Sequence, residues 1–486
     1  MVRVEYLEGD GETYSLPLAY ASGKKAEEVL REHVYSVLAR LRLKGRHKDG
    51  ILYEAIVDKD FCLALLGAMA RRRKRKAAAG ELQTTSLRTL QKILGEFKDS
   101  LEPSLLQTEQ SNTSIVFSKN LILKLFRKLE PGINPDLEIG RFLTEQGFHH
   151  IPPVAGAIEY RKSRHESTTL AIVHGFVPNQ GDAWEYTRES LGEYYTHAMA
   201  RQAEVKSAVL PQKHILDLVE EETPPQVLHN LGPYGEAARL LGQRTGELHV
   251  ALASAPEDPN FAPEPFSKLY QRSLYQSTRN LTGRVFQTLG RTLKTLPESL
   301  QSEAKAVLDK EEEILDCFQS VTRKKISAMR LRCHGDYHLG QVLWTGKDFV
   351  IMDFEGEPAR PINERRIKRS PLRDVAGMLR SFHYAAYSGL FDFRERRGLV
   401  VEEEFEAMQF CANFWHFWVS VMFLKAYMNV AIEGDFLPES SEELRTLLDM
   451  YLLEKVIYEM GYELNNRPDW VRIPLQGIQQ LLGMKK

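Results

Sequence analysis

The chain has 486 residues, 43% of them apolar and 27% charged, a balance that supports sizeable cores and excludes wholesale disorder, collagen-like repetition and a disulfide scaffold. Lys and Arg total 64 against 66 Asp and Glu, a formal net charge of −2, so the protein as a whole is not built to coat nucleic acid or an anionic membrane. Cys62, Cys317, Cys333 and Cys411 stand far apart with no CxxC pair, which predicts reduced thiols and a cytoplasmic setting. The opening residues lack the apolar stretch of a leader, and no run of 18 apolar residues occurs; neither export nor a membrane span is expected.

Taken in chain order, Val2, Val4 and Tyr6 alternate ahead of the turn Glu8-Gly9-Asp10-Gly11, and Thr13 to Tyr20 follows as a second strand. Asp60 is placed to cap a helix running through FCLALLGAMARRRKRK, whose basic end suits the helix dipole. Arg71 to Lys76 reads as a solvated helix end rather than a nucleic-acid patch, since no aromatics interleave. Residues 1–97 are expected to form a small α/β cap. From about residue 101 the texture changes. SNTSIVFSKNLILKLFRK reads as two strands joined at Ser118-Lys119-Asn120, with Leu121, Leu123 and Leu125 on one face and Ile122, Lys124 and Phe126 on the other. Asn134 and Pro135 open a helix that Gly147 closes, and a strand from Thr168 to Val173 leads into HGFVPNQG. Asp182 and Glu185 form a capping box. Residues 98–180 thus read as a small sheet lobe, and 181–486 as a large, mostly helical lobe interrupted by strands near 333–354.

The chemistry concentrates in CHGDYHLGQVLWTGKDFVIMDFEGEP. Two apolar runs flank the turn Gly346-Lys347, and pairing Thr345 with Asp348 sets Gln341 opposite Met352 and Gly340 opposite Asp353. Gln341 and Asp353 then emerge at the same open end, with Asp336 on the loop feeding it and Glu355 two residues beyond Asp353. Oxygen donors converging in this way suit Mg²⁺, and an aspartate beside them suits phosphoryl transfer. His334 and His338 beside Cys333 offer zinc as an alternative, weakened by missing partner ligands. No GxxxxGK loop is present. The candidate phosphate cation is Lys124, with Glu138 on the next helix as its ion-pair partner. Ser111-Asn112-Thr113-Ser114 either offers hydroxyl and backbone N–H groups to phosphates or is a plain polar turn.

HGDYHLGQ followed by DFEGEP resembles the catalytic and metal motifs of the aminoglycoside-phosphotransferase-like kinases, relatives of protein kinases. More narrowly, SNTSIVFSKNLILKLFRKLEPGINPDLEIGRFL, FVPNQGDAWEYT, DFEGEPARPINERR and SPLRDVAGMLRSFHYAA look like the maltokinase family, bacterial enzymes that make maltose 1-phosphate from maltose and ATP. The resemblance implies an α+β, bilobal, protein-kinase-like fold with an N-terminal cap and a helical C-terminal lobe. It implies ATP and Mg²⁺ as cofactors, maltose as substrate and trehalose synthase as a candidate partner, in α-glucan synthesis. It makes Asp336 the catalytic base, Gln341 and Asp353 the metal ligands with Glu355 nearby, and Lys124 with Glu138 the phosphate-binding pair. The backbone from His174 through Phe176 to Val177 becomes the adenine hinge. Gln341 stands where protein kinases carry Asn, DFE replaces DFG, and neither a glycine-rich loop nor an activation segment is present. Asp374, on the first turns of a helix begun by Ser370-Pro371, is expected to hold the catalytic loop, and Arg365 and Arg366 to form loop salt bridges. For the sugar, the candidates are His338, Arg380, His383, Lys425 and Tyr427; the aromatic stripe from Phe410 to Tyr427 is otherwise expected to be core. A kinase of another hydroxylated small molecule and a silent nucleotide-binding module are the competing readings.

Overall fold

The computed structural model describes residues 1–42, 49–97, 100–106, 112–162, 167–200, 210–397 and 402–483. The chain divides into two compact units, Met1–Pro178 with Glu357–Arg366, and Asn179–Gly356 with Ile367–Lys486.

The first unit is organised by a seven-stranded antiparallel sheet, in the order Lys74–Ala77, Gly80–Ser86, Val154–Arg161, Ser167–Gly175, Leu121–Leu125, Thr113–Phe117 and Pro103–Leu105. Alternation along Leu121–Leu125 divides its side chains between two cores, as period-2 patterning requires. Leu121, Leu123 and Leu125 pack with Cys62, Leu66 and Met69 of the helix Lys59–Ala70 and with Leu90 of the helix Arg88–Phe97. On the opposite face Ile172, Ala157 and Phe126 pack against Leu137 of the helix Pro135–Glu145. Lys124 shares that second face. Asn134 caps the helix by accepting from the Asp136 N–H at 2.8 Å, and the turn between Thr113–Phe117 and Leu121–Leu125 places Ser118 and Lys119 in the left-handed region.

Three local expectations change here. The strand expected from Thr13 to Tyr20 is two strands: Glu12–Tyr14 pairs with Val2–Val4 and Lys128–Leu129, whereas Leu18–Ser22 joins Asp49–Glu54 and Val37–Arg42. Pro17, which has no N–H for a ladder, stands between them. The helix expected from Asp60 is capped by Asp58, whose carboxylate accepts from the Asp60 N–H at 3.0 Å. It ends at Ala70: Arg72 turns left-handed at φ +49°, and the basic run continues as the edge strand Lys74–Ala77. Repeated cations on an edge strand keep other strands from adding to it. That edge and its neighbour Gly80–Ser86 lie in the same sheet as Thr113–Phe117, so the sheet draws on both sides of the boundary expected at residue 97.

The second unit is mostly helical, with Ala183–Ala200, Pro233–Ala253, Lys268–Thr292, Leu372–Arg397, Glu402–Ala431 and Ser441–Asn466 as its long members and the hairpin Val342–Trp344/Phe349–Ile351 among them. Asp182 caps the first of these, accepting from the Glu185 N–H at 2.8 Å. Pro233–Ala253 crosses Glu402–Ala431 so closely that a Cβ on Gly242 would sit 2.1 Å from the Phe423 carbonyl oxygen. Trp415, Phe423 and Tyr427 are fully buried, so the aromatic stripe is core. No described helix is long and apolar enough to cross a membrane.

Candidate active site

The hairpin adopts the register its sequence dictates. Val342 pairs with Ile351, the Thr345 N–H donates to the Asp348 carbonyl at 3.0 Å, and the Met352 N–H donates to the Gln341 carbonyl at 3.0 Å. Gln341 and Asp353 therefore leave the hairpin at one end. Asp353 turns left-handed, φ +65°, and a carboxylate oxygen of Asp353 lies within 4.8 Å of one from Glu355. Hard, half-buried carboxylates set this close are oxygen donors of the kind Mg²⁺ takes, and Gln341 leaves the hairpin at the same end.

Asp336 is brought to the same end by contacts between its loop and the segment after the hairpin. The His334 imidazole donates from Nε2 to the Met352 carbonyl at 2.9 Å and accepts the Asp336 N–H on Nδ1 at 3.4 Å. Its ring leans on Phe354, centroids 5.0 Å apart. Gly335 and Gly356 both have positive φ, and a Cβ on Gly335 would sit 3.3 Å from the Gly356 Cα; the two loops meet where neither carries a side chain. Asp374, buried at the start of Leu372–Arg397, accepts the His334 N–H at 2.7 Å and the Gly335 N–H at 3.0 Å, as expected of it. Burial alone would raise its pKa, but hydrogen bonds from His249 and from the Gly335 N–H oppose it, and the pKa stands below the ordinary carboxylate value. Zinc finds no closed site here: burial pushes the Cys333 thiol well up, away from thiolate, and both His334 nitrogens are engaged.

Lys455 is the residue that sequence reasoning missed. Its Nζ lies 3.7 Å from the Asp336 carboxylate and 5.1 Å from the centre of the Tyr458 ring. It comes from Ser441–Asn466, 119 positions after Asp336, and carries no motif. His338 caps the short turn Leu339–Gln341, accepting the Gly340 N–H at 3.1 Å. Burial lowers its pKa first, with Asp336 and Asp353 opposing and Lys455 and His334 adding to the lowering.

In the first unit, Lys124 faces the N-terminus of Pro135–Glu145. Its Nζ is 3.5 Å from Asp136 and 5.6 Å from the centre of the Phe126 ring. Asp136 is a carboxylate partner that the sequence reading did not name, and the expected partner Glu138 accepts two hydrogen bonds from Arg366 at 2.7 and 3.0 Å. Asp136, two positions past the cap Asn134, stands on the helix's first turn. Arg365 pairs with Glu130, so both arginines make the salt bridges expected of them. Among the polar-turn residues, Asn112 accepts the Arg127 N–H at 3.4 Å, Thr113 accepts from its guanidinium at 2.6 Å, and Ser114 pairs in-strand with Lys124; Ser111 lies outside the described residues. The side chains of Asn112 and Thr113 thus hold Arg127. His174 lies in Ser167–Gly175, 3.2 Å from the Pro152 carbonyl and 3.8 Å from Asp136. The Phe176 N–H donates to the Asn120 carbonyl, and Val177 follows it half-buried.

The sugar candidates do not come together. Tyr427 is fully buried, its hydroxyl 3.1 Å from His249, and His383 is fully buried against Tyr387 and His416; neither polar group reaches a solute. Lys425 donates to the Glu221 carbonyl at 2.7 Å. Arg380 pairs with Glu459 at 2.8 Å and, with His416, Asn413, Ser420 and Gln480, lines a 310 Å³ cavity. Helical spacing could not distinguish these positions, because every turn of an all-round apolar helix looks alike.

No family model matches the sequence. A glucosamine kinase of Mycolicibacterium smegmatis is 24% identical over 279 residues, 57% of this chain and 58% of that protein; a glucosamine kinase of Streptacidiphilus jiangxiensis is 22% identical over 381 residues, 77% and 72% of the two chains. The chain therefore spans a little over half the length of the first of these relatives. A solved glucosamine kinase in complex with glucosamine, ADP and inorganic phosphate superposes with a TM-score of 0.61 at 17% identity, covering 96% of this chain and 95% of that one. At that identity the likeness speaks to fold: this chain has the α+β fold of that kinase.

Proposed function

We propose that the chain is an ATP- and Mg²⁺-dependent sugar kinase that phosphorylates the anomeric hydroxyl of maltose. The carrying observation is a half-buried Asp336 on a loop pinned through its backbone by Asp374, with the Asp353–Glu355 carboxylates at the neighbouring hairpin end. Asp336 accepts the proton as the sugar oxygen bonds to the γ-phosphorus and the bond to the bridging oxygen breaks, releasing ADP. Lys455, 3.7 Å from the Asp336 carboxylate, orients it. Asp353, Glu355 and Gln341 would hold Mg²⁺, which when bound neutralises charge on phosphate oxygens. Lys124, aimed by Asp136, is the phosphate-binding cation from the first unit, and the backbone from His174 to Val177 takes the adenine.

Maltose comes from the resemblance of the motifs to the maltokinase family, and with it a cytoplasmic setting and a trehalose synthase that supplies maltose. A second acceptor, glucosamine, is favoured by the two glucosamine kinases among the relatives. The test is ADP release from ATP-Mg²⁺ with maltose, glucosamine and glucose in parallel, with phosphorus NMR of the product. Maltose turnover with phosphate on the anomeric carbon is expected. Turnover of glucosamine alone replaces the acceptor and keeps the kinase, and ADP release with no sugar in the panel overturns the reading.

A further inference from the structure

Behind Asp374 runs a polar chain through an otherwise apolar interior. His249, on Pro233–Ala253, places Nε2 3.2 Å from the Asp374 carboxylate and Nδ1 3.1 Å from the Tyr427 hydroxyl. His249 and Tyr427 are fully buried and Asp374 nearly so. Three long helices, Pro233–Ala253, Leu372–Arg397 and Glu402–Ala431, each contribute one member. The hydroxyl, imidazole and carboxylate thus run in series to the two backbone N–H groups that precede Asp336.

The protonation pattern follows from the contacts. A carboxylate accepts, so Nε2 carries the proton and Nδ1 is left to accept. Burial raises the Tyr427 pKa well above the ordinary phenol value, so its hydroxyl stays protonated and donates to Nδ1. Each donor polarises the next. The two backbone N–H groups hold the Asp374 carboxylate from the loop side, and the His249 donor holds its Oδ2 from the interior side.

We infer that His249, fixed in one tautomer by Tyr427, is a positioning residue: by donating to Asp374 it holds the His334–Gly335 backbone, and hence Asp336, in place. The inference rests on the kinase reading for its kinetic consequence, but its structural consequence does not depend on any substrate.

Two measurements separate these. Hydrogen exchange by mass spectrometry on peptides covering 331–341 reads the loop directly, and steady-state kinetics with the accepted sugar reads the reaction. His249→Leu is expected to speed exchange in that segment at least tenfold over neighbouring helices, and to lower kcat at least tenfold with KM for ATP within twofold. His249→Gln, whose amide can donate to Asp374, should recover most of both, and Tyr427→Phe should fall between, since the tautomer is no longer fixed. Unchanged exchange in 331–341 in the Leu variant overturns the inference, as does a kcat loss matched by an equal rise in KM. If His249→Leu does not fold, Tyr427→Phe carries the test: wild-type exchange and kcat in that variant overturn the relay. A chain that phosphorylates no sugar would sink the kinase reading and leave the exchange experiment to decide the relay.

Discussion

Asp353 combines a proposed metal ligand with the bend that aims it. At φ +65° it occupies backbone space that Asp and Asn tolerate better than other residues with a Cβ. Asp353→Asn should therefore fold as the wild type does and lose only the charge, lowering kcat by about 10²–10³-fold and raising the Mg²⁺ needed for half-maximal rate. Asp353→Ala should add a folding cost on the order of 1 kcal/mol, read by urea denaturation; equal stability of the Ala variant would show that the bend is held by other contacts. Asp336→Asn should lower kcat by about 10²–10⁴-fold, the span of general-base assistance, with nucleotide affinity by calorimetry unchanged. Retained turnover removes Asp336 as the base. The placement of Gln341 and Asp353 at one hairpin end was legible because a two-residue turn fixes a hairpin register over a dozen positions. Lys455, 3.7 Å from Asp336, was not, because it comes from a distant helix whose spacing records only which face is buried.

At the scale of elements, the helix Pro135–Glu145 shows what a sequence window can and cannot hold. Its start is written in Asn134-Pro135, and the cap forms as that pair requires. Its partners are not, since Glu138 meets an arginine 228 positions away. The segment Glu357–Arg366 carries Arg365 to Glu130 and Arg366 to Glu138, and the Ile362 N–H also donates to Glu130 at 3.0 Å. Short-range patterning sees only two adjacent arginines. Because Glu138 is 90% buried at its side chain and Arg366 about 70%, the pair is worth more than a surface bridge. Arg366→Ala removes two charge-assisted hydrogen bonds and should cost about 1–3 kcal/mol. A double-mutant cycle with Glu138→Gln measures this: a coupling of at least 0.5 kcal/mol is expected, and additivity of the two losses would show that the pair contributes nothing of its own.

For the whole molecule, the change from strand alternation to helical spacing near residue 183 was enough to read a sheet-bearing part followed by a helical one. The membership of each part was not, because Gly80–Ser86 and Glu357–Arg366 join the first unit through pairings across tens to hundreds of residues. Packing of the helical unit has a consequence for acid stability. His383 is fully buried, and burial, then Arg380 and His416, push its pKa well below the ordinary value; burial and Arg380 push His416 down to about 3. Both histidines are ordinary in the unfolded chain, titrating near 6.5. Between pH 6.5 and 3 the unfolded chain therefore binds protons that the folded chain refuses, and stability must rise with pH across that window. The contribution is complete above about pH 6.5 and is lost as pH falls, by at most about 1.4 kcal/mol per pH unit for each histidine. Asp374, its pKa lowered, acts in the same direction, but only where carboxylates titrate. Urea denaturation at pH 7.5, 6.0 and 5.0 isolates the histidines from the carboxylates. The wild type should lose stability over that range, and His416→Gln, which removes one proton site, should lose it less steeply. An identical slope in the variant would mean that His416 takes up its proton without unfolding, so that the interior around Arg380 opens to water in acid and the neutral imidazoles are no condition of the fold.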